Sequence, residues 1–435
     1  MGNGYALHAS ESTWGVPPAS GWRALEVNVD GHKTAIGSTL THKGLRAARG
    51  APSSTGRRLT KISGTGSIEL PGSSNGLGIL LRAAASTAAS ALHSGGTLAY
   101  DQVYEWTSGP PSGRSISTEI YRDRRDGSFD AYTYPGGRVT SMEVGQTLDD
   151  FLQFKFAMNY RQPIRHATPP TRTPVTVDPD LLYAWPDATV TLTPVGGSGT
   201  AECIESFSLV LPNELDVDDW CLRSGVSEVQ TITGSGTWSG GTFTLTVLGA
   251  TTAAIAYGAN AATIGAALVA AGVPSGFVAV SGGPVGTTPL VLTYDASLGN
   301  VAAATIDTTS VTGSTPAASV ATTTAGVSGE RHEPMRAGTP APTGALAWRY
   351  QDPRYYDAFV AGQEFSLSAV WEGDEVIEGT TKPSLRIEVP SLFFSGDDPE
   401  ISVDGPTKQA LPFEVCDNGT DPVATITLVT SDSTF

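Results

Sequence analysis

Ser74 lies in Gly72-Ser73-Ser74-Asn75-Gly76, the G-x-S-x-G spacing of a nucleophile elbow, between a stretch that reads as a strand and one that reads as a helix. An elbow lifts its serine on a strained turn toward backbone N–H donors. It also needs an acid and then a late histidine in the chain. The last of the six histidines is His332, and strand–helix alternation is sparse. The turn therefore reads as a Gly/Ser/Asn cap on the helix. His8, His32, His42, His93, His166 and His332 show no two at metal-ligand spacing on one helix, and Arg331-His332-Glu333 reads as a polar loop. Three acidic clusters, Glu214/Asp216/Asp218/Asp219, Glu372/Asp374/Glu375/Glu378 and Asp397/Asp398/Glu400, invite comparison with calcium loops or glycosidase pairs. They lack the spacing and central glycine of an EF-hand loop and read as solvated turns. No phosphate-cradling loop or dinucleotide fingerprint follows a strand. The expectation is no enzyme, with no catalytic, cofactor-binding or metal residues and no cofactor.

The elements around these residues point to a β protein. The chain has 435 residues, 40% apolar and 16% charged, with 50 Gly and 29 Pro. That composition supports sizeable cores, and abundant Thr, Ser, Gly and Val suit short strands joined by tight turns. The 26 basic and 43 acidic residues leave a net charge of −17, which excludes binding through a basic footprint. Cys203, Cys221 and Cys416 make no disulfide framework and suit assembly in a reducing cytoplasm. The first residues carry no basic start with an apolar run, so no secretory leader is expected, and Asn418-Gly419-Thr420 then carries no glycan. The window 253–273 is Ala- and Gly-rich and interrupted by Asn260 and Thr263, which predicts a small packed helix and no membrane association.

Residues 229–326 contain no Lys, Arg or Glu and only Asp295 and Asp307. Two similar phrases flank them, Ser224-Gly225-Val226-Ser227-Glu228 and Ala325-Gly326-Val327-Ser328-Gly329-Glu330. This reads as a small α+β module, about the size of an immunoglobulin domain, spliced into a loop. Inside it, strands are predicted at 242–247, 277–280 and 290–294, with a helix over 261–270 that buries Ile264 and Leu268.

The rest divides into halves with a similar order of elements. In the first, a strand at 67–70 leads to a helix over 77–92. Strands follow at 116–121, 129–134, 139–144 and 151–160, with a hairpin turn at Pro135-Gly136-Gly137. In the second, a strand at 345–350 leads to a helix opened by Asp352-Pro353 and closed by Gly362. Strands follow at 364–371, 385–389, 400–404, 410–415 and 423–429. Each half predicts a β-sandwich or rolled sheet with a flanking helix. The Pro/Thr-rich stretch 166–200 reads as an extended linker. The expected division is 1–165, linker 166–200, a second module from 201–228 and 327–435, and the inserted domain 229–326.

Several stretches resemble the tail tube (major tail) proteins of long, non-contractile tailed bacteriophages. They are Ser10-Glu11-Ser12-Thr13-Trp14-Gly15-Val16-Pro17, Gly66-Ser67-Ile68-Glu69-Leu70 with Gly76-Leu77-Gly78-Ile79-Leu80-Leu81, and Tyr134-Pro135-Gly136-Gly137-Arg138-Val139 with Leu152-Gln153-Phe154-Lys155-Phe156. Gly344-Ala345-Leu346-Ala347-Trp348 through Leu411-Pro412-Phe413-Glu414-Val415 is similar to a second tube module in one chain. The 229–326 module resembles a domain that recurs on the outside of virions. The resemblance implies a structural virion protein that self-assembles into stacked rings. Two modules per chain imply a trimeric ring with pseudo-sixfold symmetry, a six-chain ring being the alternative. Implied partners are further copies of itself, a tape measure protein in the lumen, tail terminator and distal tail or baseplate proteins, and phage DNA passing without specific binding. Strand 151–160, with Gln153, Lys155 and Asn159 on one side, is the expected inner wall of the first module, and 364–371 that of the second. The lumen is expected to be acidic or neutral, and strand 423–429 to serve in assembly. The competing reading is a phage fibre or cell-surface β-domain adhesin.

Overall fold

The computed structural model describes residues 5–25, 34–46, 54–107, 114–166, 169–177, 182–220, 225–326, 333–395 and 407–433. The first half supplies β1 (Tyr5–Ser10), β2 (Arg23–Leu25), β3 (Thr34–Arg46), β4 (Ser54–Pro71), α1 (Gly78–Ala84), β5 (Thr87–Leu92) and β6 (Tyr100–Trp106). It continues with β7 (Ile116–Asp123), β8 (Phe129–Thr147), β9 (Gln153–Tyr160), β10 (Ile164–Arg165) and β11 (Val175–Val177). Then come β12 (Ala188–Pro194), β13 (Thr200–Glu202) and β14 (Ser206–Pro212). A separate sheet is built from β15 (Val229–Val247), β16 (Ala250–Thr251), β17 (Ile255–Ala256), β18 (Val278–Gly282), β19 (Leu290–Tyr294), β20 (Thr305–Asp307) and β21 (Val311–Thr324), with α2 (Ala261–Ala270) against it. The chain ends with β22 (Thr343–Arg349), α3 (Arg354–Ala361), β23 (Phe365–Glu372), β24 (Ser384–Phe394), β25 (Lys408–Val415) and β26 (Ala424–Thr430).

The chain is mainly β and antiparallel. One run of pairing reads β3-β4-β9-β8-β14-β22-β25-β24 and passes through both halves. A second run reads β13-β12-β23-β24-β26-β6-β5. The two runs share one core, in which Phe154, Phe156, Leu209, Leu346 and Phe413 of the first meet Leu192, Trp371, Ile387 and Ile426 of the second. On the first half, β1 and β8 flank β7 and bury Leu7, Ala9, Trp22, Tyr121 and Ala131.

The connectivity repeats. β1-β7-β8-β10 in the first half has the pairing order of β12-β23-β24-β26 in the second. Likewise β3-β4-β9-β8 matches β14-β22-β25-β24, and α1 follows β4 as α3 follows β22.

Three predicted elements and the expected role of a fourth differ from the structure. The helix over 77–92 stops at Ala84, and 87–92 is strand β5 paired along its length with β6. Its alanines have high helix propensity, but pairing wins. Ser86 N–H donates to Glu105 O at 2.9 Å and the Thr107 N–H donates to Ser86 Oγ at 3.1 Å, which turns the chain into the sheet. The hairpin at 135–137 is instead a bend within one strand, β8, which crosses from β7 to β9 and β14. Gly136 takes φ 66° there, and a Cβ on Gly137 would lie 2.3 Å from the Tyr160 ring. The stretch 166–200 contains β12, which pairs with β23 over all seven residues because Val190 and Leu192 reach the core. Strand 423–429 is paired on both sides within its own chain, by β24 and β6, and so serves the fold of the subunit. The α3 boundaries agree with the prediction, with Gly362 left-handed at φ 61°. So does α2, where Asn260 Oδ1 accepts from the Thr263 N–H and Ile264 and Leu268 are buried. Strand 400–404, His32, His332, Cys221 and the cluster Asp397/Asp398/Glu400 lie outside the described residues.

Val229 pairs with Thr324, so the two ends of the separate sheet lie side by side. Its core is distinct and also takes in Val16 and Ala19 from the segment after β1. Glu228 anchors it: the carboxylate is fully buried and accepts from the Val301 N–H at 2.8 Å and Gln230 Nε2 at 2.5 Å.

Because Ile426 is fully buried between β24 and β6, Ile426→Ala is expected to destabilise the chain by about 3 kcal/mol in urea unfolding. A chain cut after Gly419 is expected to lose the cooperative transition altogether. A truncated chain that unfolds like the intact one would contradict the two-sided pairing of β26.

Candidate channel face and assembly edges

Strand β9 alternates as its sequence predicts up to Met158, but Asn159, expected on the open side, is buried. Phe154, Phe156, Met158 and Tyr160 are buried, while Lys155 is exposed and Gln153 and Ala157 half-buried on the other side. Register carries that division across the eight-strand run. On β4 the open side holds Thr65, Ser67 and Glu69, and on β8 Ser141, Glu143 and Gly145. On β14 it holds Ser206, Ser208 and Val210, on β22 Thr343, Ala345 and Ala347, and on β25 Ala410, Pro412 and Glu414. From β4 to β25 the face is therefore made mostly of small side chains, polar on β4, β9 and β8 and mixed with Ala, Val and Pro on β14, β22 and β25.

Its charges are few and lean acidic, with Glu69, Glu143 and Glu414 against Lys155. Lys155 sits in register between Glu69 on β4 and Glu143 on β8, with Nζ 3.7 Å from the Glu143 carboxylate. At the rim of β14, Glu205 accepts from Lys408 at 2.8 Å and Arg349 at 3.1 Å. These contacts hold the Glu205 carboxyl below its ordinary range. A cation with carboxylates on both flanks presents little net field to a passing polyanion. The strand predicted as the second inner wall, 364–371, is not on this face. It is β23, in the second run, where Leu367, Ala369 and Trp371 point into the shared core. The open face of the second half comes from β14, β22 and β25, and the alternation Ser206-Phe207-Ser208-Leu209 in β14 is its signal in the sequence.

The two ends of the run differ from its interior. Among the described residues, β3 pairs only with β4 and has no strand on its other edge, where the Ile36 carbonyl accepts from Arg122 at 3.3 Å. At the other end, past Pro390, β24 pairs with β25 through Leu392, Phe393 and Phe394, while Leu392 still pairs with Phe365 of β23. Unpaired strand edges recruit further strands unless they are covered.

Buried ions fasten the peripheral segments. Glu11 accepts from the Gly15 N–H (2.8 Å), the Gly136 N–H (2.7 Å), Ser115 Oγ and Ser117 Oγ (both 2.6 Å). Burial pushes its carboxyl up and the four donors pull it back, with a net rise. Trp14 Nε1 donates to Gly136 O at 3.1 Å, and Arg161 stacks on the Trp14 ring at 4.7 Å. The arm is thereby clamped onto the bend of β8. Glu119 is also fully buried. Burial pushes it up, but the hydrogen bonds and charge of Arg172, with Tyr121 and Thr133, outweigh that and hold it below the ordinary carboxylate range. His8 is buried, with Nδ1 3.1 Å from Thr118 Oγ1, and desolvation lowers its pKa to about 4.

The elbow-like turn is buried, with Ser74 only 3% exposed. Ser73 Oγ donates to Asn75 O, and Asn75 Oδ1 accepts from Thr430 Oγ1 at 2.6 Å and Ser431 Oγ at 3.2 Å. The turn thus holds the end of β26. Glu378 accepts from the Thr97 and Leu98 N–H groups at 2.6 and 2.9 Å, tying the second half to the β5–β6 turn. Asp218 pairs with Lys61, and Glu372 with Lys382. His93 pairs with Asp101 and His166 contacts Thr133. Among the described residues no three His, Cys, Asp or Glu side chains gather to hold a metal ion. Likewise, no helix is long and apolar enough to cross a membrane.

A family model described as phage tail tube protein matches residues 3–247, more than half of the chain. No curated protein matches it.

Free imidazole titrates near pH 6.5 while His8 in the folded chain titrates near 4. Below pH 6.5 the unfolded chain takes up a proton that the folded chain refuses, so stability is lost as pH falls from about 6.5 to about 4. The loss is about 3 kcal/mol when complete. Glu119 adds its loss only as pH falls through its lowered value, below the ordinary carboxylate range. Urea unfolding across pH 7 to 4 is expected to show the His8 slope in the native chain and to lose it in His8→Gln.

Proposed function

The chain belongs to the phage tail tube family and is a structural component of the virion, and from that premise we propose that it builds the tube as a ring of three chains. The observation that carries the reading is the eight-strand run through both halves, with the same pairing order twice and one side of mostly small side chains. Two modules per chain give a trimeric ring pseudo-sixfold symmetry. The ring closes when the run of one chain continues into that of the next, which leaves no unpaired edge in that run.

In this reading the open side of the run lines the bore. The tape measure protein fills the bore before ejection, and DNA passes through it afterwards. DNA carries one negative charge per ~1.7 Å of axis, so a basic wall would hold it. The paired Glu69, Lys155 and Glu143 give the DNA no such hold. The tube is assembled in the host cytoplasm and capped by terminator and distal tail proteins.

We place the first module at 1–165 and the inserted domain at 229–326. The second module comprises 201–228 and 327–435 and takes in β12, the counterpart of β1. The insert lies between β14 and β22, the counterparts of β3 and β4. It packs on Val16 and Ala19 of the arm, and its core includes no residue of the open face, which supports a position on the outside of the tail.

Electron microscopy with native mass measurement of purified assemblies tests this. Stacked hollow rings of three chains are expected. Six chains per ring would mean that one half alone lines the bore, and discrete spikes without stacking would favour the fibre or adhesin.

A further inference from the structure

Helix α1 is covered on every side, with all of its residues but Arg82 buried. Its counterpart α3 is not. Tyr355 and Ala358 face the core, while Tyr356, Phe359 and Val360 are 37%, 38% and 66% exposed. At spacing i, i+3, i+4 these three form one apolar stripe.

What covers α1 shows what α3 lacks. Asn213, in the second half just past β14, is 1% exposed and donates through Nδ2 to Ala84 O at 2.9 Å and Val139 O at 3.0 Å. It plugs the gap between the end of α1 and β8 where the halves of one chain meet. The repeated connectivity gives the corresponding place at the other end of the chain. Aligning Gly66 with Gly344 puts Ile36 on Leu209 and Met158 on Phe413. The same alignment matches the strand ends Pro71 and Arg349, and brings Pro135 onto Pro390, the prolines at the bends of β8 and β24. Asn213 then corresponds to Leu40, on the edge strand β3, which is 52% exposed.

Resting on the tube reading, we propose that Leu40 of one copy docks between the C-terminal end of α3 and Phe394 of the next copy, covering the stripe of Tyr356, Phe359 and Val360. The seam inside the chain is the template for the seam between chains. An apolar plug replaces the amide of Asn213 because its seat, beside Val360, is apolar.

Two experiments on the full chain test this. Val360 is exposed in the single subunit, so Val360→Glu is expected to leave the unfolding curve unchanged and abolish sedimentable tubes, with Leu40→Lys restoring them in that background. With Cys203, Cys221 and Cys416 changed to Ser, Leu40→Cys with Val360→Cys is expected to give disulfide-linked species of two and three chains under oxidation. Each single cysteine alone should give none. Native protein that never forms tubes overturns the tube reading and this inference together. Native tubes alongside unimpaired Val360→Glu tubes, or a cross-link confined within one chain, overturn the inference alone.

Discussion

Backbone pairing across β8 and β14 is the constraint on which the architecture depends. Seven residue pairs, Ser206 with Thr147 through Pro212 with Ser141, fuse two half-length sheets into one. Without that ladder each half would present an open edge of N–H and C=O groups, which is a template for aggregation. The second run repeats the solution on the other layer, where β26 lies between β24 and β6. The halves therefore share their main core, and among the described residues the strands paired on one side only include β3 at one end of the eight-strand run and β13 and β5 at the ends of the second.

Polar burial is concentrated where segments outside this frame must be held. Glu11 and Glu119 are each enclosed, which is costly for a carboxylate unless donors replace its water. Glu11 has four such donors from three separate segments, and Glu119 has Arg172, which also stacks on Trp22 at 4.6 Å. Such sites specify geometry more than they add stability: the arm fits only where Gly136 is bent and Ser115 and Ser117 are in register. The Asn75 turn acts similarly, which explains why a serine motif between strand and helix is buried against Thr430.

Much of this was legible in the sequence because its period was legible. The alternation from Phe154 to Tyr160 gave β9 and its faces, Asn260 and Gly362 marked helix ends, and the charge-free stretch 229–326 marked the separate sheet. What escaped were features set by distant partners. Thr87–Leu92 reads as helix by composition and is strand because β6 lies beside it. Val190 and Leu192 were hidden in a Pro/Thr-rich stretch, and only their pairing with β23 places them in the core. The open face drew on three strands of the second half whose side chains are small and therefore uninformative singly. Their meaning comes from register with Glu69, Lys155 and Glu143.

A helical reconstruction of the assembled tube resolved to individual strands tests the central claim most directly. The account predicts an inner wall of antiparallel strands, eight from each of three chains, crossing from β8 to β14 within every chain and showing Lys155 to the bore. A wall built from the first half alone, or one with Phe154 and Phe156 facing the bore, would contradict it.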